Sequence, residues 1–169
     1  MVMDKKDRQI LEVLQQDGRI AHTRLAEIVD LSAPAVLARV RKLEEQGIIQ
    51  GYQAIVDPAS VGNPLICYVG VTLVHHQREP LQQVSARIRE FPQVLEAYHL
   101  TGSTDYLLKV AVPSIQALEN FLMEELTIIP GVDKVHTSMV LSAIKTNGVV
   151  PVEVGEESSN GYHVMGNGR

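Results

Sequence analysis

Residues 23–47, TRLAEIVDLSAPAVLARVRKLEEQG, constrain this chain more than any other segment. Ser32 is a good N-cap, because its hydroxyl can accept one of the orphan backbone N–H groups of a first helical turn. Pro34 falls inside that turn, where a missing N–H costs nothing. Val36, Val40 and Leu43 follow at helical spacing and share one face. Pro34, Ala38, Arg41 and Glu45 then point the opposite way, with Ala35 and Lys42 flanking them and Arg39 nearer the apolar seam. Gly47 suits the left-handed position that ends a helix. The pattern predicts a helix buried along one side and small or basic along the other.

A shorter helix is expected to start near Thr23, with Leu25, Ile28 and Val29 inward and Ala26 where crossing helices approach closely. Asp30 occupies the turn, since Asp tolerates positive φ better than most residues. Leu31 plugs the turn from below. Upstream, Asp4 can cap a first helix that buries Ile10, Leu11 and Leu14 and stops at Gly18. Three short helices on one core make a helix-turn-helix head, its third helix shaped for a DNA major groove. The plain alternative is a three-helix unit with solvated charges. Charge weighs against it: Arg19 to Lys42 holds five basic and two acidic residues, a local +3 in a chain of net −5. Phosphate binding needs local cations, not a basic whole protein. Ser32, Pro34, Ala35 and Ala38 would let the helix approach base edges. Arg39, Arg41 and Lys42 would supply phosphate or guanine contacts.

The chain has 169 residues, 45% of them hydrophobic, enough for one or two small domains with cores. No apolar run is long enough to span a membrane and no signal peptide is evident, so a cytoplasmic location without membrane partners is expected. The single cysteine, Cys67, excludes an intrachain disulfide, argues against a cysteine zinc site, and reads as a small core hydrophobe. Residues 1–60 hold 8 basic and 9 acidic side chains, and residues 61–169 hold 7 and 11. The C-terminal part, at −4, would be repelled by nucleic acid.

After Gly47, IIQGYQAIVDP reads as an extended hinge and linker over 51–64, either a wing on DNA or a strand for a partner chain. From Leu65 the pattern changes. Leu65 to Val74 is β-rich, and Pro80 to Phe91 is helical with Leu81, Val84, Ile88 and Phe91 on one face. Val94 to Leu100 and Tyr106 to Val112 are strands around the turn TGSTD. Ser114 caps a helix expected to bury Ile115, Leu118, Leu122 and Leu126, and Val132 to Leu141 is a last strand. Phe91-Pro92-Gln93-Val94 and Ile129-Pro130-Gly131-Val132 each stop a helix at Pro and open a strand, a half-repeat. The expected fold is α+β: a helix-turn-helix head at 1–50 and a ferredoxin-like βαββαβ domain at 65–147. Strands apolar on both faces predict a second protomer on the open side of the sheet. Residues 148–169, rich in Gly, Asn, Ser and Glu, read as a flexible tail.

Four segments, DRQILEVLQQDGRI, LAEIVDLSAPAVLARVRKLEEQGIIQGY, TGSTDYLLKV and IPGVDKVHTSMVLSAIK, in this order and spacing, resemble the Lrp/AsnC, or feast/famine, transcriptional regulators over residues 3 to 147. The resemblance implies a winged helix-turn-helix head, a hinge strand and a βαββαβ effector domain. It implies homodimers that assemble to tetramers or octamers. It also implies an amino acid or related small metabolite bound near the loop between the second and third strands, where dimers meet, and no other cofactor. Carried onto this sequence, the effector site comprises Gly102, Ser103, Thr104 and Asp105, with Thr137 and Ser138 on the last strand. Asp105 could pair with a ligand ammonium, and the hydroxyls could hold a carboxylate. Ser103 and Thr104 replace an acidic and an aromatic residue of the frequent family form GDYDYL. GSTD is also a good hairpin turn in its own right.

Two other functions compete. An architectural, DNA-wrapping protein would keep the head and dispense with the effector. An enzyme is not expected: there is no phosphate loop, nucleophile elbow or catalytic constellation. His75-His76 would point to opposite faces of a strand, a poor metal pair.

Overall fold

Asp4 opens the first helix with a reciprocal cap: its carboxylate accepts the Asp7 N–H at 2.8 Å, and the Asp7 carboxylate accepts the Asp4 N–H at 3.3 Å. In this computed structural model, which describes residues 3–74 and 78–152 and the side chains outside 78–80, helix α1 spans Lys5–Gln16. The pair His75-His76 lies outside the described residues. Packing divides the chain into two units, residues up to Ala54 with the described residues from Lys145 on, and Ile55–Ile144.

In the first unit, α2 (His22–Val29) and α3 (Ala33–Glu45) close a small core with α1. Ile10, Leu25, Val29, Val36, Val40 and Leu43 are its most buried members. Asp30 takes the left-handed conformation at φ 51° between α2 and α3, as expected of the turn. The C-terminus of α3 is a Schellman motif. Gly47, at φ 69°, donates to Glu44 C=O at 2.9 Å, and Ile48 N–H reaches Leu43 C=O at 3.0 Å.

Two local expectations change in the head. Ile28 is half exposed while Ala26 is buried, because α2 turns its Ala26 side to α3 and only a small residue fits that close crossing. Helix α1 ends at Asp17, before Gly18, and Gly18 instead makes room for Tyr52: a Cβ there would lie 3.2 Å from the ring. Residues 50–57, within the expected hinge, join no ladder among the described residues. Nor is the whole of 148–152 loose. The Gln15 amide donates to Val150 C=O at 3.0 Å and accepts its N–H at 2.7 Å, and Val152 packs on the head core. Residues 153–169, the rest of the expected tail, lie outside the described residues.

In the second unit, a 3-10 turn at Ala59–Val61 precedes β1 (Leu65–Leu73), α4 (Arg78–Glu90), β2 (Val94–His99), β3 (Tyr106–Val112), α5 (Ile115–Asn120) and β4 (Val132–Met139). The order β2-β3-β1-β4 is antiparallel throughout, the ferredoxin-like arrangement. Both helices cover one face. Cys67, Val69, Val71 and Leu73 point to them, and Phe91 meets Phe121 edge to face with centroids 5.3 Å apart. Ser114 caps α5 through the Ala117 N–H at 3.1 Å, as its position implied. Helix α5 runs on as a π-helical turn, Phe121–Leu126. Leu118, Phe121 and Leu126 are buried and Leu122 is partly so, whereas Ile115, expected inside, is 65% exposed at the first position of α5.

Candidate nucleic-acid interface and effector loop

The outer face of α3 forms because its inner face must be buried. Val36, Val40 and Leu43 fix the helix rotation, and Ser32, Pro34, Ala38, Arg41 and Lys42 are consequently exposed, with Ala35 partly so. The Ser32 hydroxyl accepts the Ala35 N–H at 3.4 Å, so Ser32 serves the helix start as well as the surface. Among the described residues, no carboxylate pairs with Arg41 or Lys42. Two cations on one helical turn, beside alanines too small to obstruct a groove, are suited to phosphate contact and close base approach.

Arg39 stands apart from this face. Its Nη1 donates to Asp4 Oδ2 and to Asp7 Oδ1, each at 2.6 Å, and Asp7 is buried. The Asp7 N–H, and after it the Arg39 guanidinium, hold the Asp4 carboxyl below its ordinary range. The two carboxylates raise Arg39 in turn, Asp4 first. Arg24 is also paired, with Glu27 at 2.6 Å, but on the open surface. A groove of about 650 Å³ beside α1, lined by Leu11, Leu14, Ile48, Tyr52 and Val152 among others, includes none of the residues expected to bind DNA or effector.

The loop between β2 and β3 is built by backbone pairing at its base. Leu100 N–H donates to Asp105 C=O at 2.8 Å and Asp105 N–H to Val71 C=O at 2.9 Å. The Asp105 carboxylate then takes the place of a strand carbonyl and accepts the Leu73 N–H at 2.8 Å. Gly102, at φ 128°, supplies a conformation other residues rarely adopt. Thr104 folds over the open face of β1, where Gly70 makes room: a Cβ on Gly70 would lie 3.1 Å from Thr104 Cγ2. The Thr72 hydroxyl reaches Ser103 C=O at 3.5 Å. Gly102 and Ser103 are exposed, and Asp105 is buried.

The two strand residues expected beside this loop part company. Ser138 lies opposite Tyr68 on the open face, whereas Thr137 lies opposite Val69 on the helix-covered face. Strand alternation makes that separation unavoidable. His136, opposite Gly70, shares the open face with Ser138 and sits nearer the loop. His136, Gly70 and Thr72 are the neighbours that sequence reading passed over, and the same alternation would have found them. Farther along that face, the Lys109 ammonium and then the Tyr98 hydroxyl lower the Glu96 carboxyl, with Lys109 at 2.7 Å.

Comparison with known proteins fits both units. Residues 3–50 match a winged helix-turn-helix DNA-binding model, and residues 66–150 match the Lrp/AsnC ligand binding domain. The chain belongs to the Lrp/AsnC family. It is 39% identical over 143 residues to the leucine-responsive regulatory protein of Rhizobium meliloti, covering 85% of this chain and 92% of that one. The corresponding protein of Escherichia coli K12 is 37% identical, with 85% and 87% covered. A transcriptional regulator of Neisseria meningitidis, solved as its L-Met complex, superposes with a TM-score of 0.84 at 35% identity, covering 88% of this chain and 96% of that one. Escherichia coli AsnC gives 0.78 at 29% identity, with 86% and 97% covered. This Lrp/AsnC chain is thus a DNA-binding transcriptional regulator with a ligand-binding domain, and its relatives are regulators, not enzymes. No helix among the described residues is long and apolar enough to cross a membrane.

Proposed function

We propose that this regulator reads duplex DNA with the outer face of α3, and that an amino acid or related metabolite seated at the 102–105 loop controls it. The observation that carries the first part is the exposed pair Arg41 and Lys42, without an ion-pair partner among the described residues, beside Ala35 and Ala38. Ser32, the N-cap of α3, and Pro34, in its first turn, leave the helix N-terminus without bulky side chains that would hold it off a groove wall. Two heads related by a dimer axis would read an imperfect palindrome with half-sites about 34 Å, or a multiple, apart. The work is done where the chromosome is, in the cytoplasm.

The second part is supported by the Neisseria relative, which was solved as its L-Met complex. Gly102 and Ser103 are exposed and the loop lies over an open sheet face, so a ligand there needs a second surface to enclose it. Another dimer supplies that surface in this reading, with homodimers building tetramers or octamers. Ser138 and His136 share the loop's side of the sheet and fit a ligand-facing role; Thr137 fits a packing role.

The test is a salt titration of binding to the duplex this protein enriches from a randomised pool, with and without each of the common amino acids. A steep salt dependence that one amino acid shifts supports the reading. Tight binding indifferent to every amino acid favours the effector-independent, DNA-wrapping alternative, and binding no tighter than to random duplex defeats both.

A further inference from the structure

We infer that Arg39 is a positioning residue and not a DNA contact: together with Asp4 and Asp7 it sets the angle at which α3 is presented to DNA. The inference rests on the DNA-reading role of α3 proposed above and assigns Arg39 a different part in it.

The first turn of α1 holds both helices of the reading motif. Lys6 Nζ donates to Val29 C=O and, at 3.5 Å, to Asp30 C=O, where α2 ends and the turn begins. From the same turn Asp4 and Asp7 grip Arg39 halfway along α3, each at 2.6 Å. These groups also cap α1, so the grip is anchored in a formed helix and not in a loose end.

Two facts keep Arg39 from reaching a phosphate. Asp7 is only 6% exposed, so moving the guanidinium away would strand a buried carboxylate without its cation. Both bonds end on the same Nη1, so an outward swing of the guanidinium breaks both at once. Arg39 also sits between Ala38 and Arg41 in sequence. A small rotation or tilt of α3 about this point therefore displaces Ala38, Arg41 and Lys42 together. Base-edge contacts depend on that angle, whereas phosphate contacts made by long flexible cations tolerate it.

The test compares Asp7→Asn, Arg39→Lys and Arg39→Met in the full chain, on the duplex enriched by the wild type and on a random duplex, each across a salt series. Folded fraction is checked by circular dichroism, so that a mere loss of stability is separated from a change in the folded protein. Asp7→Asn is close in shape and keeps an acceptor for the cap. Arg39→Lys keeps the charge on a side chain one bond shorter, which draws the donor back from both carboxylates. Positioning predicts that both variants bind the enriched duplex about tenfold more weakly, the scale of one lost base contact. Random-duplex affinity should hardly change, and the salt slope should stay as in the wild type even for Arg39→Met. Wild-type-like discrimination by Asp7→Asn or Arg39→Lys overturns the inference. So does a slope for Arg39→Met shallower by about 1 per head, the mark of a lost phosphate contact. Failure of the wild type to prefer its enriched duplex would instead overturn the reading on which the inference rests.

Discussion

Asp105 is where structure and ligand chemistry compete for one carboxylate, and two substitutions separate them. Its Oδ2 accepts the Leu73 N–H at 2.8 Å, and both residues are nearly inaccessible, at 6% and 3% exposure. A hydrogen bond to a charged group is worth about 1.5–3 kcal/mol, and an orphaned buried donor costs about 1–3 kcal/mol. Asp105→Ala loses the bond and leaves the Leu73 N–H without water, so about 3 kcal/mol should go. Asp105→Asn keeps a carbonyl acceptor for the Leu73 N–H and forgoes the charge, at about 1 kcal/mol for that bond. In a domain of this size each kcal/mol moves the midpoint by about 4–8 °C. Scanning calorimetry at fixed protein concentration should therefore show Asp105→Ala well below Asp105→Asn, and Asp105→Asn close to the parent. If the two variants melt together, or the alanine variant melts with the parent, the carbonyl-replacement argument is wrong. The same pair then reads the ligand role. If Asp105 also holds an effector ammonium, Asp105→Asn abolishes the amino-acid response of DNA binding while the fold survives.

Two further outcomes follow from the head. Gly47→Ala should cost roughly 1–2 kcal/mol in a denaturant titration, because φ 69° is strained for any residue with a Cβ although nothing lies within 4 Å of the new atom. The pairing of Asp4 contributes stability that is fully present above its unfolded value of 3.8 and is lost as pH falls through its lower folded value. An acid titration of head unfolding should show Asp4→Asn differing from the parent at neutral pH and converging with it below that range.

What sequence made legible, and what it did not, divides along physical lines. Caps and periodic apolar positions act locally, so Asp4, Ser32, Ser114, Gly47 and the Val36-Val40-Leu43 seam could be read in advance. The misreadings arose elsewhere. Ile28, expected inward, is half exposed, while Ala26 is buried as its small size at a helix crossing implied; the eight residues of α2 are too few for periodicity to fix the edge of its buried face. Ile115 faces outward from the first turn of α5, and Phe121 is buried where the helix widens into a π turn that a 3.6-residue phase does not express. Thr137 and Ser138 were joined by motif transfer although strand alternation separates them. Arg39 was placed nearer the core seam from its helical angle alone, but its partners Asp4 and Asp7 lie more than thirty residues away in the chain.

Pairing by itself does not remove an arginine from DNA binding; burial of its partner does. Arg24 and Glu27 form an ion pair whose side chains are 68% and 65% exposed, and such surface pairs are worth only about 0.2–1 kcal/mol. Arg24 remains free to exchange that carboxylate for a phosphate. Arg39 and Asp7 are 32% and 8% exposed at the side chain, and Asp7 cannot be left to water. Glu27→Gln and Asp7→Asn each remove one negative charge from the same head. If long-range attraction alone governed binding, both would tighten it. The structure instead demands opposite signs on the enriched duplex, with Glu27→Gln tighter and Asp7→Asn weaker, while on random duplex neither should weaken. Equal shifts of one sign in a salt-matched titration would mean that the head senses only its net charge, and that the grip of α1 on α3 does not shape how the helix meets DNA.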